Sequence, residues 1–145
     1  SKTPGRTQLI NFFDLGGEGR IVDLPGYGYA KVPVSEQKHW GQLLKSYFVG
    51  RKSLVGLILT VDIRRGLNDL DQIMLDWGKT SQVPVAVLLT KADKLSKSAG
   101  LNELMKIKKS VPSTVPLILF SGPKKKGISE AQLLMVKWLL LTTEI

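Results

Sequence analysis

Short apolar runs alternate with helical stripes along this chain. Residues 7–13 (TQLINFF) and 20–24 (RIVDL) read as two short strands, and the glycine-rich turn Gly16-Gly17-Glu18-Gly19 between them predicts an antiparallel hairpin. Ser35 is placed to cap a helix in which Trp40, Leu43, Leu44, Tyr47 and Phe48 recur at helical spacing, with Gly50 as its stop. Residues 54–61 (LVGLILTV) form a continuous apolar run of strand length, which suits a strand covered on both faces. After a polar break at 62–66, a helix is predicted from Asn68 or Asp69, burying Leu70, Ile73, Met74 and Trp77. The same beat repeats: a buried strand at 84–89 (PVAVLL), a short basic helix at 101–109, and a third buried strand at 116–120 (PLILF). Residues 129–132 fit a capping box opening a last helix, with Leu133, Leu134, Val136, Trp138 and Leu139 as its apolar side.

Strands alternating with helices after a leading hairpin predict an α/β fold with a mostly parallel sheet. In such sheets ligands bind beyond the carboxyl ends of the strands, so the informative residues are those just after each strand. With no repeat, low-complexity tract or long linker, the 145 residues are read as a single domain. Apolar runs far shorter than the roughly 20 residues a bilayer requires, and no apolar stretch at the N-terminus, lead us to expect a cytoplasmic protein without membrane attachment. Zero cysteines exclude disulfides and thiolate metal sites. The net charge of +9 favours an acidic partner, nucleotide or nucleic acid.

Four segments at strand ends carry candidate chemistry. In Asp23-Leu24-Pro25-Gly26 the carboxylate can hold a magnesium-bound water while the glycine N–H meets a phosphate oxygen. In Thr90-Lys91-Ala92-Asp93 the acid can accept from both the N1–H and the exocyclic amine of guanine; adenine offers no matching donor pair. Ser121-Gly122-Pro123, after the last strand, can add backbone N–H groups and a hydroxyl beside that acid. Thr7, following Thr3-Pro4-Gly5-Arg6, offers a hydroxyl to magnesium and a backbone to phosphates. Asp93 and Asp23 are expected to lie across one crevice, the first on the base and the second serving the ion on the triphosphate.

The strings KTPGRTQLINFF, VDLPGYGYA, VLLTKADK and FSGPKKKG resemble the switch I, switch II, guanine-specificity and final guanine-loop motifs of the bacterial EngB GTPases, in the TrmE-Era-EngA group of ribosome-assembly GTPases. The resemblance covers the whole chain and implies a P-loop NTPase-like G domain, a three-layer α/β sandwich whose mostly parallel sheet carries one antiparallel edge hairpin. It implies that Gly5, Arg6, Thr7, Gln8 and Leu9 belong to switch I, with Thr7 a magnesium ligand. Asp23, Leu24, Pro25 and Gly26 would meet magnesium and the γ-phosphate, with Asp23 holding the metal through water. Lys91 and Asp93, within Thr90-Lys91-Ala92-Asp93, would select guanine, and Phe120, Ser121 and Gly122 would back the base. Thr90 stands where many GTPases have Asn, as in similar EngB sequences, and Gly122 departs from the usual serine or alanine.

The resemblance also implies a monomeric, magnesium-dependent switch that binds GTP and GDP. Its ordered state would meet the large ribosomal subunit and its rRNA, with a link to cell division and septation. The phosphate-binding loop G-x-x-x-x-G-K-[ST] and its preceding strand are not found in these residues, so this chain is read as a partial G domain that would be unstable or swap by itself. Tyr27 occupies the position where many GTPases carry a water-orienting glutamine. The resemblance therefore implies slow intrinsic hydrolysis aided by a partner or a monovalent cation, with no catalytic residue visible, and Tyr27→Gln in the full-length parent is not expected to raise turnover strongly.

Lys124-Lys125-Lys126, the group Lys106, Lys108 and Lys109, and Arg64-Arg65 are candidate contacts to rRNA phosphates. His39 is expected to be exposed, and the tryptophans to serve as core. Two other functions compete: an RNA-binding or scaffold fragment without nucleotide binding, and an adenine-nucleotide enzyme, which Lys91-Ala92-Asp93 disfavours.

Overall fold

A computed structural model describes residues 11–14, 19–23, 39, 42, 46, 48, 49 and 51–143. The chain divides into two compact units, Ser1–Arg51 and Lys52–Ile145, each described by itself. In the first, β1 (Asn11–Asp14) and β2 (Arg20–Asp23) form the predicted antiparallel pair, with Phe12 opposite Val22 and Asn11 opposite Asp23. His39, Gln42, Ser46 and Phe48 are helical; His39 is exposed and Phe48 buried.

The second unit is built on a parallel sheet of order β3-β4-β5, comprising β3 (Leu57–Asp62), β4 (Val85–Thr90) and β5 (Leu117–Leu119). β4 lies between the other two strands, and its first five residues are buried, which is why its sequence is an unbroken apolar run. β3 begins at Leu57, three residues later than the apolar run suggests. Its ladder opens where Leu57 N–H donates to Pro84 O at 2.9 Å, and Gly56 just before it lies so close to the Trp138 ring that a Cβ would overlap it.

α1 (Asp69–Ser81) starts from Asn68, whose Oδ1 accepts from Asp71 N–H at 2.8 Å while Asp71 Oδ2 accepts from Asn68 N–H at 2.9 Å. That reciprocal pair satisfies two donors and fixes where the helix begins. Its buried stripe is Leu70, Asp71, Met74, Leu75 and Gly78, so the helix is rotated from the expected face. Ile73 is exposed and Trp77 half-buried, while Gly78 lies so close to β4 that a Cβ on it would overlap Val85.

α2 (Lys97–Lys108) is capped by Ser96, which accepts from Ala99 N–H, and so starts four residues earlier than its basic run suggests. α3 (Ile128–Thr143) also starts earlier than the capping-box reading: Gly127 O accepts from Ala131 N–H, placing Ser129 inside the first turn. Ala131 and Leu134 pack with Leu88, Ile118 and Ile58 on the sheet, and Trp138 is buried, whereas Leu133 and Val136 of the expected apolar side are exposed. Val85 meets α1 and Leu88 meets α3. Residues an odd number apart point to opposite faces of a strand, so helices cover both faces of the sheet. No helix among the described residues is long and apolar enough to cross a membrane.

Candidate functional site

The carboxyl ends of β3, β4 and β5 bring three polar segments of the second unit together. β4 ends at Thr90, whose hydroxyl donates to Val61 O at 3.2 Å, while Ile63 N–H donates to Thr90 O at 3.1 Å. Thr90 therefore clamps the ends of β3 and β4 to each other. The chain turns sharply at Lys91, which adopts a left-handed conformation (φ 59°, ψ 32°), and continues into a short 3-10 turn at Ala92–Lys94. A non-glycine residue there carries a strain cost, tolerated where surrounding contacts enforce the turn. Ala92 N–H donates to Phe120 O, and Phe120 N–H to Leu89 O, so the loops after β4 and β5 are joined through backbone.

The loop after β5 is pinned by a two-way bridge: Ser121 N–H donates to Lys126 O and Lys126 N–H to Ser121 O. Gly127 closes it at φ +78°, where a side chain would collide with the Leu119 carbonyl. Held this way, Ser121 is 1% exposed. Its hydroxyl donates to Asp93 Oδ1 at 2.8 Å and accepts from Lys124 N–H at 3.3 Å. That bond is the first reason the Asp93 carboxyl sits below its ordinary range; burial opposes it, and Asp93's own N–H and the charges of Lys94 and Lys124 add smaller lowering effects. Asp93 is thus an ionised, partly exposed acceptor, with lone pairs left for two parallel donors from a ligand. Beside it a cavity of about 210 Å³ is lined by Asp93, Ser121, Ser96, Lys97, Lys124 and Lys126.

At the end of β3, Asp62 is gripped by Arg64. Arg64 Nη2 donates to Oδ2 at 2.8 Å, Nε to Oδ1 at 3.1 Å, and the Arg64 backbone N–H to Oδ1 at 2.9 Å. Lys91 Nζ stands 3.5 Å from the same Oδ2. Arg64 first, and Lys91 less strongly, keep the Asp62 carboxyl far below the usual carboxylate range.

Of the residues expected from sequence, Thr90, Lys91, Ala92, Asp93, Phe120, Ser121 and Gly122 meet at these strand ends. Thr90 contributes a strand clamp. Gly122 has open space where a Cβ would stand, so packing does not demand glycine there. Asp23 ends β2 in the first unit and is exposed; Gly5, Arg6, Thr7, Gln8, Leu9, Leu24, Pro25, Gly26 and Tyr27 lie outside the described residues. Among the described residues, no three His, Asp or Glu side chains gather as a metal cluster. Asp23, an exposed carboxylate at a strand end, fits an ion held through water.

Asp62 was not among the expected site residues. Its signal was a carboxylate ending an apolar run with arginine two positions on, and that pairing also removes Arg64 from the free basic surface. Lys106, similarly, is paired with Glu103 at 3.1 Å, whereas Lys108, Lys109, Lys124, Lys125 and Lys126 are exposed.

A family model described as a 50S ribosome-binding GTPase matches residues 1–91. Among solved structures, the chain is similar to translation elongation factor SelB from Methanococcus maripaludis, in complex with the GTP analogue GppNHp. The TM-score is 0.59 and the identity 20%, and the match covers 90% of this chain. The chain spans 28% of that SelB chain's length. The likeness is one of fold, that of a G domain of the P-loop GTPases.

Proposed function

Since the chain belongs to the 50S ribosome-binding GTPase family, we propose that it is the guanine-reading part of a GTP-driven switch of the EngB kind, acting in assembly of the large ribosomal subunit. The observation that carries this reading is the Ser121–Asp93 hydrogen bond at the joined ends of β4 and β5. A buried hydroxyl holds one carboxylate oxygen, and the acid remains ionised to accept the N1–H and 2-amino donors of guanine. Lys91 lies alongside to cover the base, and the Phe120–Gly122 backbone supports it.

In the same reading, Gly5, Arg6, Thr7, Gln8 and Leu9 and the segment Asp23-Leu24-Pro25-Gly26 are the two switches. Asp23 and Thr7 would hold Mg2+, which supplies charge neutralisation on the phosphates when bound. The protein hydrolyses GTP to GDP slowly, with a monovalent cation or a bound partner aiding the step. Lys124, Lys125 and Lys126 meet rRNA phosphates, and Lys108 and Lys109 extend that basic surface. The protein works as a cytoplasmic monomer and supports cell division and septation through ribosome supply.

The test is competition binding with the full-length protein, magnesium present, using labelled GDP against GTP, ATP and bulk rRNA. Displacement by GTP and not by ATP is expected. Displacement by neither, together with salt-sensitive RNA binding that ignores nucleotide, would favour the scaffold reading.

A further inference from the structure

Asp62 has no part in the guanine contacts proposed above, yet it stands where it governs one of them. The parallel register pairs Asp62 with Thr90, so the acid lies beside the residue that immediately precedes Lys91. The Thr90 hydroxyl and the Ile63 N–H lock that register at its last rung. The left-handed turn at Lys91 then leaves its ammonium 3.5 Å from Asp62 Oδ2. The Asp62 side chain is 14% exposed and that of Lys91 58% exposed. The carboxylate is therefore the fixed partner and the lysine the movable one.

Arg64 makes the fixation firm. Its two-pronged grip on both carboxylate oxygens, reinforced by its own backbone N–H, leaves Asp62 one orientation. The Lys91 ammonium then meets one oxygen of a carboxylate held by three hydrogen bonds rather than a freely rotating side chain, which lowers the ordering cost of placing the lysine for a ligand.

We infer that Asp62 is a positioning residue for nucleotide binding, its Arg64-clamped carboxylate holding the Lys91 side chain in the orientation that covers the base. This rests on the reading of Lys91 and Asp93 as the guanine contacts. Asp62 touches no nucleotide itself and acts through Lys91. Its effect is accordingly blind to the 2-amino group that Asp93 reads.

The experiment measures dissociation constants of the full-length protein for GTP and for inosine triphosphate, which lacks the 2-amino group, in wild type, Asp62→Asn, Lys91→Ala and the double variant. Asp62→Asn is expected to weaken both nucleotides equally, by about two- to fivefold, the range of partly exposed ion pairs. In the Lys91→Ala background it adds nothing. Asp62→Ser, a smaller neutral replacement, must reproduce the shift, and Asp62→Glu must recover part of it; the loss of the effect in the Lys91→Ala background is what a general loss of folding would not produce. An unchanged constant for Asp62→Asn, or a full effect persisting in the Lys91→Ala background, overturns the inference while leaving the guanine-site reading intact. If wild type binds neither nucleotide, that reading falls and this inference with it.

Discussion

The hydroxyl of Ser121, fully buried after β5, reaches across 28 residues of sequence to the Asp93 carboxylate after β4, donating a hydrogen bond of 2.8 Å. The loops that carry these residues are already tied by Ala92 N–H to Phe120 O, so the bond is set by the sheet beneath it. Breaking it tests whether the acid depends on its neighbour. Ser121→Ala removes both the donor to Asp93 and the acceptor for Lys124 N–H. Guanine-nucleotide affinity is expected to fall roughly three- to tenfold, as measured by calorimetric titration.

The pH dependence comes from the same bond. Asp93 is held below its ordinary value, so the folded protein binds this proton less readily than the unfolded chain. Its contribution is present above the unfolded carboxylate value and is lost as pH falls through the lowered folded value. Affinity for GTP at this group should therefore persist to lower pH than an unshifted carboxylate would allow. In Ser121→Ala the acid limb is expected to move to higher pH, and coincident limbs in the two proteins would count against the coupling.

Beneath the site, Leu89 is completely buried one residue before Thr90. Leu89→Ala is expected to cost about 2–5 kcal/mol of unfolding free energy in urea, as large-to-small changes in packed cores do.

Gly127→Ala should destabilise by about 1–3 kcal/mol. The position combines φ +78° with a Leu119 carbonyl in the way of any Cβ, and the loop it closes carries Ser121. Equal urea midpoints for variant and wild type would contradict this.

Basic residues on the loop after β5 give a prediction of another kind. Replacing Lys124, Lys125 and Lys126 by Gln should weaken rRNA binding without sequence preference. It should also flatten the dependence of log K on log salt by about 0.9 for each phosphate contact removed.

The alternation of strands and helices was legible in the sequence because β4 is buried on both faces and so has no polar positions to obscure it. The hairpin was legible because glycines separate two short β-rich runs. Helix starts were less so: α3 begins just after Gly127, whose carbonyl serves the first turn, and Ser129 mimicked a cap. The buried face of α1 differs from its sequence pattern at Ile73, which is exposed, while Gly78, without a side chain, lies close to Val85. In the site, the order of Thr90 to Asp93 and then Ser121 along the chain foretold that they share one end of the sheet, and the parallel register accounts for it. The Asp62–Arg64–Lys91 group stayed hidden because its partners become neighbours only through the pairing of β3 with β4.

The central claim is that the residue 93 carboxylate reads guanine, and changing what that side chain can accept and donate tests it most directly. Asp93→Asn exchanges one acceptor oxygen for an N–H donor, which suits the 2-carbonyl of xanthine and not the 2-amino group of guanine. Titration of the full-length variant is expected to show GTP affinity down by about a hundredfold or more and affinity for xanthosine triphosphate gained. GTP binding at the wild-type constant, with no gain for the xanthine nucleotide, would contradict the account.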